Sequence, residues 1–355
     1  MKLLIDIGHP AHVHYFRNLA RHFIVKGDKI LFTCRDKDVV IDLLNTYGFN
    51  YRCIGTPFTG FFGKIFGLFL FNSRLFRIAA AFKPDMFLSA GSIYAAHIAW
   101  LTGRDHITLE DTGNMEQIRL YLPFTKAILT PESFHKDLGN KQIRLNCYNE
   151  LAYLLPARFN PDSRINEILG LNPAEKFVLI RFVSWDATHD INSKGISDKT
   201  KRELINILSG RYKVFISSER NLPEDLAEFR IRISAEKMLD IINAAEFYIG
   251  EGATMASESA MLGTPAIYVN PLYAGTINDQ VKYGLVFHFR TENGLIEKVK
   301  ELIEIPDLKQ YFREKRNIMI SDKIDMTRFL IWFVESWPES FRIMKENPEY
   351  QEKFK

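Results

Sequence analysis

The sequence predicts an α/β protein of two doubly wound, Rossmann-like domains facing a cleft, and three observations carry that prediction. Short apolar runs of strand length alternate with amphipathic helical runs along nearly the whole chain, which is the signature of βαβ units and parallel sheets. The alternation lapses once, over residues 140–173, and then restarts. The length, 355 residues, fits two domains more often than one.

Taken in order, the opening MKLLIDIGHPAH places a buried strand at 3–7. Its apolar run is too short for a signal peptide, and Asp6 interrupts it. Strands follow at 30–33, 86–89, 106–109 and 127–130, with helices at 14–25, 38–46, 65–82 and 94–101 between them. Residues 140–173 carry Pro156, Pro161 and Pro173 and few strand signals, and read as a connection with one short helix near 164–169. The second series has strands at 177–182, 214–217, 247–250 and 266–269 and helices at 199–209, 236–244, 254–262 and 294–303. From residue 324 the tail is an amphipathic helical segment with Trp332, Phe333 and Trp337. The expected division is therefore a first domain at 1–150, a linker at 151–173, a second domain at 174–323 and a tail at 324–355 packing back toward the first domain.

Composition excludes several classes. Hydrophobic residues make up 46% and charged residues 25%, so whole-chain disorder, collagen and coiled coil are ruled out. A net charge of +3 is too small for a dedicated nucleic-acid binder. Three scattered cysteines, Cys34, Cys53 and Cys147, argue against a disulfide framework or a structural zinc. No uninterrupted apolar stretch of about 18 residues occurs, so no transmembrane helix is expected. The expected location is cytoplasmic, at most peripheral at the inner face of the membrane.

The densest chemical signal is residues 246–270, EFYIGEGATMASESAMLGTPAIYVN. A strand ends at Gly250, a glycine-containing turn follows, and a helix opens near Ala253. Amides of Gly252, Ala253 and Thr254 at the positive end of a helix dipole suit a diphosphate. Thr254 and Glu258, four apart, share a face, and a carboxylate there suits ribose hydroxyls. Glu251 and Met255 flank this helix start. The bland alternative is a plain helix start with an incidental glutamate.

Gly8-His9-Pro10-Ala11-His12-Val13-His14 follows the first strand directly. A loop there faces the expected cleft, and histidine near its ordinary pKa suits a general base. His12 is the first choice and His9 the second. Three histidines in six residues also raise a metal site, but His12 and His14 are two apart and fall on different faces once a helix has begun. A capping or packing role is the remaining alternative.

The segment EGATMASESAMLGTPAIYVN resembles the donor-nucleotide segment of the peptidoglycan N-acetylglucosaminyltransferase and other GT-B glycosyltransferases. The resemblance puts Glu258 at the ribose-binding position and Gly263-Thr264-Pro265 at the exit toward the next strand. It sets Asn278-Asp279-Gln280 near the donor sugar. Ala11-His12-Val13 resembles that family's Gly-His-Val on the acceptor side. GHPAHVHYF, RFVSWDATHD and NELAYL together resemble a microbial family of GT-B-like proteins, over nearly the whole chain. The resemblance implies a metal-independent enzyme with no cofactor beyond a nucleotide-sugar co-substrate. Two departures stand out. Glu251 occupies a position where the better-known enzymes carry a small residue. The glycine-rich loop after the first strand of the second domain is replaced by Arg181-Phe182-Val183-Ser184-Trp185-Asp186. Arg181 as a bidentate donor and Ser184 as a hydroxyl donor suit the diphosphate, and a salt-bridged strand end is the alternative for Arg181.

Asp36-Lys37-Asp38 is a DxD, the metal-binding pattern of the other glycosyltransferase fold, but at a helix start it reads as N-terminal capping. Residues 58–82 hold eight of the 28 phenylalanines, and no acid occurs from Pro57 to Pro84. The segment reads either as a face for an anionic membrane carrying a lipid-linked acceptor or as a core helix rich in phenylalanine.

Three functions compete. The first is an inverting glycosyltransferase of hexosyltransferase type, moving a sugar from a UDP-sugar to a cell-envelope glycan or lipid-linked acceptor in polysaccharide biosynthesis. The second is a UDP-N-acetylglucosamine 2-epimerase, for which Glu110 and Glu132 lie at plausible strand ends while Leu88-Ser89-Ala90-Gly91-Ser92 lacks the aspartate those enzymes place there. The third is a non-catalytic nucleotide-sugar binder.

Overall fold

The computed structural model describes residues 1–183, 195–218, 221–272 and 275–355. Ser184, Trp185 and Asp186 lie outside the described residues. The chain divides into two compact units, Met1–Tyr153 with Lys323–Lys355, and Leu154–Asp322.

The first unit is built on seven parallel strands in the order β3-β2-β1-β4-β5-β6-β7. They are β1 Lys2–Ile7, β2 Lys29–Cys34, β3 Tyr51–Cys53, β4 Met86–Ala90, β5 Asp105–Leu109, β6 Ala127–Pro131 and β7 Gln142–Leu145. Leu3, Leu4, Ile5 and Ile7 of β1 are fully buried, as the centre of a two-sided sheet requires. The order reverses direction between β1 and β4, which makes the carboxyl ends of those two strands the ligand-binding position of such a sheet. The C-terminal helix Met326–Glu335 packs on the helix Pro10–Val25. Thr327 Oγ1 and Asn18 Nδ2 both donate to the Ala152 carbonyl, at 2.7 and 2.8 Å. Trp337 Nε1 reaches Asp105 Oδ2 at 2.8 Å.

The second unit has five parallel strands in the order β12-β11-β10-β8-β9. They are β8 Phe177–Phe182, β9 Lys213–Ser218, β10 Tyr248–Gly250, β11 Ala266–Val269 and β12 Val286–Phe289. Here the order reverses between β8 and β10.

Several elements differ from the sequence expectation. Three strands were missed, β3, β7 and β12, and each is a sheet edge. An edge strand is covered on fewer sides, so it needs no continuous apolar run, and β3 is wholly half-buried or exposed. The first helix starts at Pro10 rather than near 14. Proline suits the first helical position, and His9 caps it by accepting from Ala11 N. The DxD does not cap a helix. The helix there starts at Val40 with no side-chain cap, and Asp38 takes a left-handed φ of 52°. The helix Phe61–Phe82 begins four residues earlier than expected.

Candidate functional site

In the second unit, the carboxyl ends of β8 and β10 meet at the reversal of strand order, with Arg181 in register with Gly250 and with Ser217 of β9. Gly250 ends β10, and Gly252, at φ −95°, opens the helix Ala253–Leu262 with no side-chain cap. The first-turn amides of such a helix have no intrahelical acceptor. Ala253, Thr254 and Met255 are half-buried there. Glu258, one turn past Thr254 on the same face, is only 6% exposed. Arg181 Nη1 donates to Ser217 Oγ at 2.6 Å, which holds the guanidinium at the strand end.

The Tyr248 hydroxyl lies where a Cβ on Gly250 would be, 2.1 Å from that position, so only glycine fits. That hydroxyl is fully buried and has no hydrogen-bond partner among the described residues. Burial raises its pKa, Arg181 opposes the rise, and the charges of Glu251 and Glu258 add to it.

Two expected ligand residues turn out to build the site instead. Glu251 is 3% exposed, and its oxygens accept from Val183 N at 3.0 Å and Ile196 N at 2.6 Å, while its carbonyl accepts from Asn270 Nδ2 at 2.9 Å. The carboxylate thus ties the chain after β8 to the chain before the helix Asp198–Leu208. Gln280 is fully buried and donates to Ser257 Oγ at 2.9 Å, locking the helix Gly275–Lys282 to the Ala253 helix. It faces packing rather than a sugar, because helix periodicity turns it inward. Asn278 and Asp279 on that helix are half-buried, and Asp279 pairs with Lys282 at 3.3 Å.

In the first unit, Asp6 near the end of β1 is fully buried and accepts from Thr33 Oγ1 at 2.7 Å and Ser92 Oγ at 2.6 Å. Arg35 pairs with it at 3.5 Å, and its other nitrogen donates to the Ile7 carbonyl at 3.3 Å. A side chain at Gly8 would fall 2.5 Å from the Arg35 guanidinium, so glycine is required for that approach.

His9 is exposed and its Nδ1 accepts from Ala11 N at 3.2 Å; His12 Nδ1 accepts from Gly8 N at 3.3 Å. With Nδ1 occupied as an acceptor, the neutral ring of each carries its proton on Nε2. Burial lowers the His12 pKa well below the usual value, with His9, Arg35 and Lys37 adding to the effect. His12 is therefore a neutral donor here, whereas a general base needs its outward nitrogen unprotonated. His14 turns away, its ring stacked 5.1 Å from Tyr153, and burial brings its pKa to about 3. The three histidines do not converge.

A second titratable group, not singled out in the sequence, lies near His12. Asp111 lies two residues past the end of β5, accepts from Asn149 Nδ2 at 2.7 Å and from the Tyr15 side chain, and has its pKa raised to about 6 by burial and then by Glu110. The Tyr15 ring in turn stacks on His12 at 5.7 Å. The signal was an Asp after a strand-end Glu, but Asn149 reaches it from 38 residues away. Glu110 is fully engaged: Oε1 accepts from Thr112 N, Thr112 Oγ1 and Gly113 N, and Oε2 from the Tyr121 hydroxyl at 2.6 Å. Glu132 is exposed.

The family model described as Protein of unknown function (DUF354) matches residues 1–334. The chain belongs to that family. An uncharacterised protein of Methanocaldococcus jannaschii is 27% identical over 285 residues, covering 75% of this chain and 81% of that one. Among solved structures, the UDP-GlcNAc 2-epimerase of Neisseria meningitidis bound to UDP-GlcNAc superposes with a TM-score of 0.63 at 13% identity, covering 94% of this chain and all of that one. S. aureus MnaA with UDP gives 0.69 at 11% identity over 96% and 97%. The Streptomyces sp. SF2575 glycosyltransferase SsfS6 gives 0.61 at 11% identity over 95% and 100%. The DUF354 fold represented here is thus the two-domain α/β fold of GT-B glycosyltransferases and UDP-GlcNAc 2-epimerases.

Proposed function

We propose that this DUF354 protein is an inverting glycosyltransferase that takes a UDP-sugar and transfers the sugar to a cell-envelope glycan or its lipid-linked precursor. One observation carries the reading: an uncapped helix start at Gly252–Thr254, with Arg181 on the neighbouring strand and Glu258 a turn later, at the reversal of strand order in the second unit. In this reading the Ala253, Thr254 and Met255 amides and Arg181 hold the diphosphate and stabilise it as it leaves, and the helix dipole and guanidinium supply the charge a metal would otherwise bring. Glu258 accepts from the ribose hydroxyls. The Tyr248 hydroxyl, which has no partner among the described residues, donates to the bound nucleotide sugar. Asp111 takes the proton from the acceptor hydroxyl, held for it by Asn149 and Tyr15, and His9 and His12 offer Nε2–H groups to the acceptor.

The test is a thermal-shift panel of nucleoside diphosphates and nucleotide sugars. A ligand at about 100 times its Kd stabilises by roughly 2.7 kcal/mol. UDP is expected to shift the unfolding midpoint. Glu258→Gln is expected to weaken UDP on the order of tenfold, the loss of one charged hydrogen bond. No response to any nucleotide would refute the reading.

A second reading, a 2-epimerase, gains from the adjacent carboxyls Glu110 and Asp111 at a strand end. It requires UDP-N-acetylglucosamine to be interconverted with no acceptor present, whereas transfer leaves the donor intact until an acceptor is supplied. A non-catalytic binder would consume no donor with any acceptor.

A further inference from the structure

The helix Phe61–Phe82 has two apolar faces, and only one of them is buried among the described residues. Gly67, Phe71, Leu75 and Ala79, spaced four apart, form its buried stripe. Leu75 and Ala79 pack against Leu4, Phe87, Ala95, Ile98 and Ala99. On the opposite side Phe62, Phe66, Phe69 and Phe76 recur at helical spacing and are 83%, 59%, 71% and 45% exposed. Phe61 adds 73% and Ile65 41%. A surface helix ordinarily turns polar residues outward there. The sequence left open whether this segment is core or surface, and these exposures make its outer face surface.

Where the helix projects follows from its ends. Its last turn lies at the amino end of the sheet, since Lys2 Nζ donates to the Phe82 carbonyl at 3.1 Å. Arg74 Nη1 donates to the Ile54 carbonyl at 2.7 Å, one residue beyond β3, so the helix is already level with the carboxyl edge of the sheet at residue 74. Residues 61–70 therefore run roughly 15 Å further, at 1.5 Å per residue. They pass the same edge that carries Gly8–His12 and Asp111.

Length and composition would allow this helix to cross a membrane, with 22 residues and an 18-residue window of mean hydropathy 1.4. The fold argues otherwise. The helix is the crossover between two parallel strands of one sheet, and its buried stripe belongs to the core of the first unit. The charge pattern points to a surface of opposite sign: Lys64, Arg74, Arg77 and Lys83 are exposed, and no carboxylate occurs from residue 57 to 84.

We propose that the outer face of this helix docks on an anionic lipid surface, with the Phe61–Phe69 turns at the headgroup–acyl boundary and the basic residues over the headgroups. Docking so placed holds the carboxyl edge of the first unit beside the bilayer, where the headgroup of a lipid-linked acceptor would reach it. That last step rests on the transferase reading; the docking does not, and a vesicle result stands whichever way the nucleotide titration falls.

The experiment is co-sedimentation of the full chain with vesicles of phosphatidylcholine alone and of phosphatidylcholine mixed with anionic phosphatidylglycerol. Binding is expected to the anionic vesicles and to fall with rising salt, to weaken at least tenfold in the Phe62→Ser/Phe69→Ser variant, and to weaken and lose most of its salt dependence in Lys64→Glu/Arg77→Glu. These positions are solvent-facing, and an unchanged thermal midpoint shows that each variant is folded. A midpoint lowered in both variants moves the test to Phe62→Gln alone. No binding to anionic vesicles at low salt overturns the proposal. So does equal binding by the Phe62→Ser/Phe69→Ser variant. A wild-type dimer that the same substitutions make monomeric, with no vesicle binding, also overturns it and assigns the face to a second copy of this chain.

Discussion

His12 and Asp111 show how far a residue's chemistry depends on its partners. His12 sits in the first turn of the helix after β1 and Asp111 just past β5, but Gly8 N–H takes the Nδ1 lone pair of His12, and burial keeps that ring neutral. Asp111 gains the opposite character, because burial and the neighbouring Glu110 charge both raise its pKa to about 6. Carboxyl-carbon NMR is expected to show Asp111 titrating near pH 6 and lower in Glu110→Gln, which removes the repulsive charge. A midpoint near 4 in the native protein would strip Asp111 of the base role. For His12, ring nitrogen shifts are expected to report the Nε2–H tautomer with no titration in the ordinary histidine range, since burial holds its pKa well below the usual value. Titration in the ordinary range would restore it as the base.

At the scale of elements, the helix Ala253–Leu262 is defined at both ends by glycine. Gly252 opens it without a side chain in the way, and Gly263 closes it at φ 73°, a left-handed C-terminal cap. A Cβ on Gly263 would meet Arg313 Cα at 3.1 Å, so the position is closed to side chains twice over. Gly263→Ala is expected to cost about 1–2 kcal/mol, read as a lower denaturant midpoint at unchanged slope. An unchanged midpoint would mean that the Arg313 helix shifts freely. The sequence located this helix within a residue because the turn glycines and the Leu-Gly-x-Pro exit are local signals. The edge strands β3, β7 and β12 carry no such signal, since their pairing comes from one neighbour and their outer faces stay partly exposed.

For the whole molecule, buried histidines set the response to acid. His14 and His106 are buried neutral with pKa values brought to about 3 by burial, His106 held between Ser89 Oγ and Thr125 Oγ1. In the unfolded chain they bind protons near pH 6.5, so between about pH 6.5 and 3 the unfolded state holds more protons and stability falls with falling pH. Asp111 acts in the opposite sense. Its folded pKa near 6 exceeds the unfolded value near 3.9, so it binds a proton first in the native state and offsets one histidine. The net slope remains acid-destabilising, at about 1.4 kcal/mol per pH unit for each unmatched proton. Thermal midpoints are expected to drop from pH 7 to 4.5, and His106→Gln to flatten that drop. A flat profile in the native chain would contradict the buried, neutral state of these rings.

The periodicity of apolar residues by itself determined that this is an α/β chain with two parallel-sheet domains, because central strands buried on both faces and helices buried on one leave patterns that need no knowledge of the partner. It also determined the Gly252–Glu258 constellation, whose logic is local to one turn and one helix. Only the tertiary structure decided what lies across a gap in sequence. Glu251 spends its charge on amides 55 and 68 residues away, Asn149 reaches back to Asp111, and Gln280 turns inward. The same holds for the phenylalanines of residues 61–76: hydrophobicity is a property of the side chain, but exposure belongs to whichever face the rest of the fold leaves uncovered.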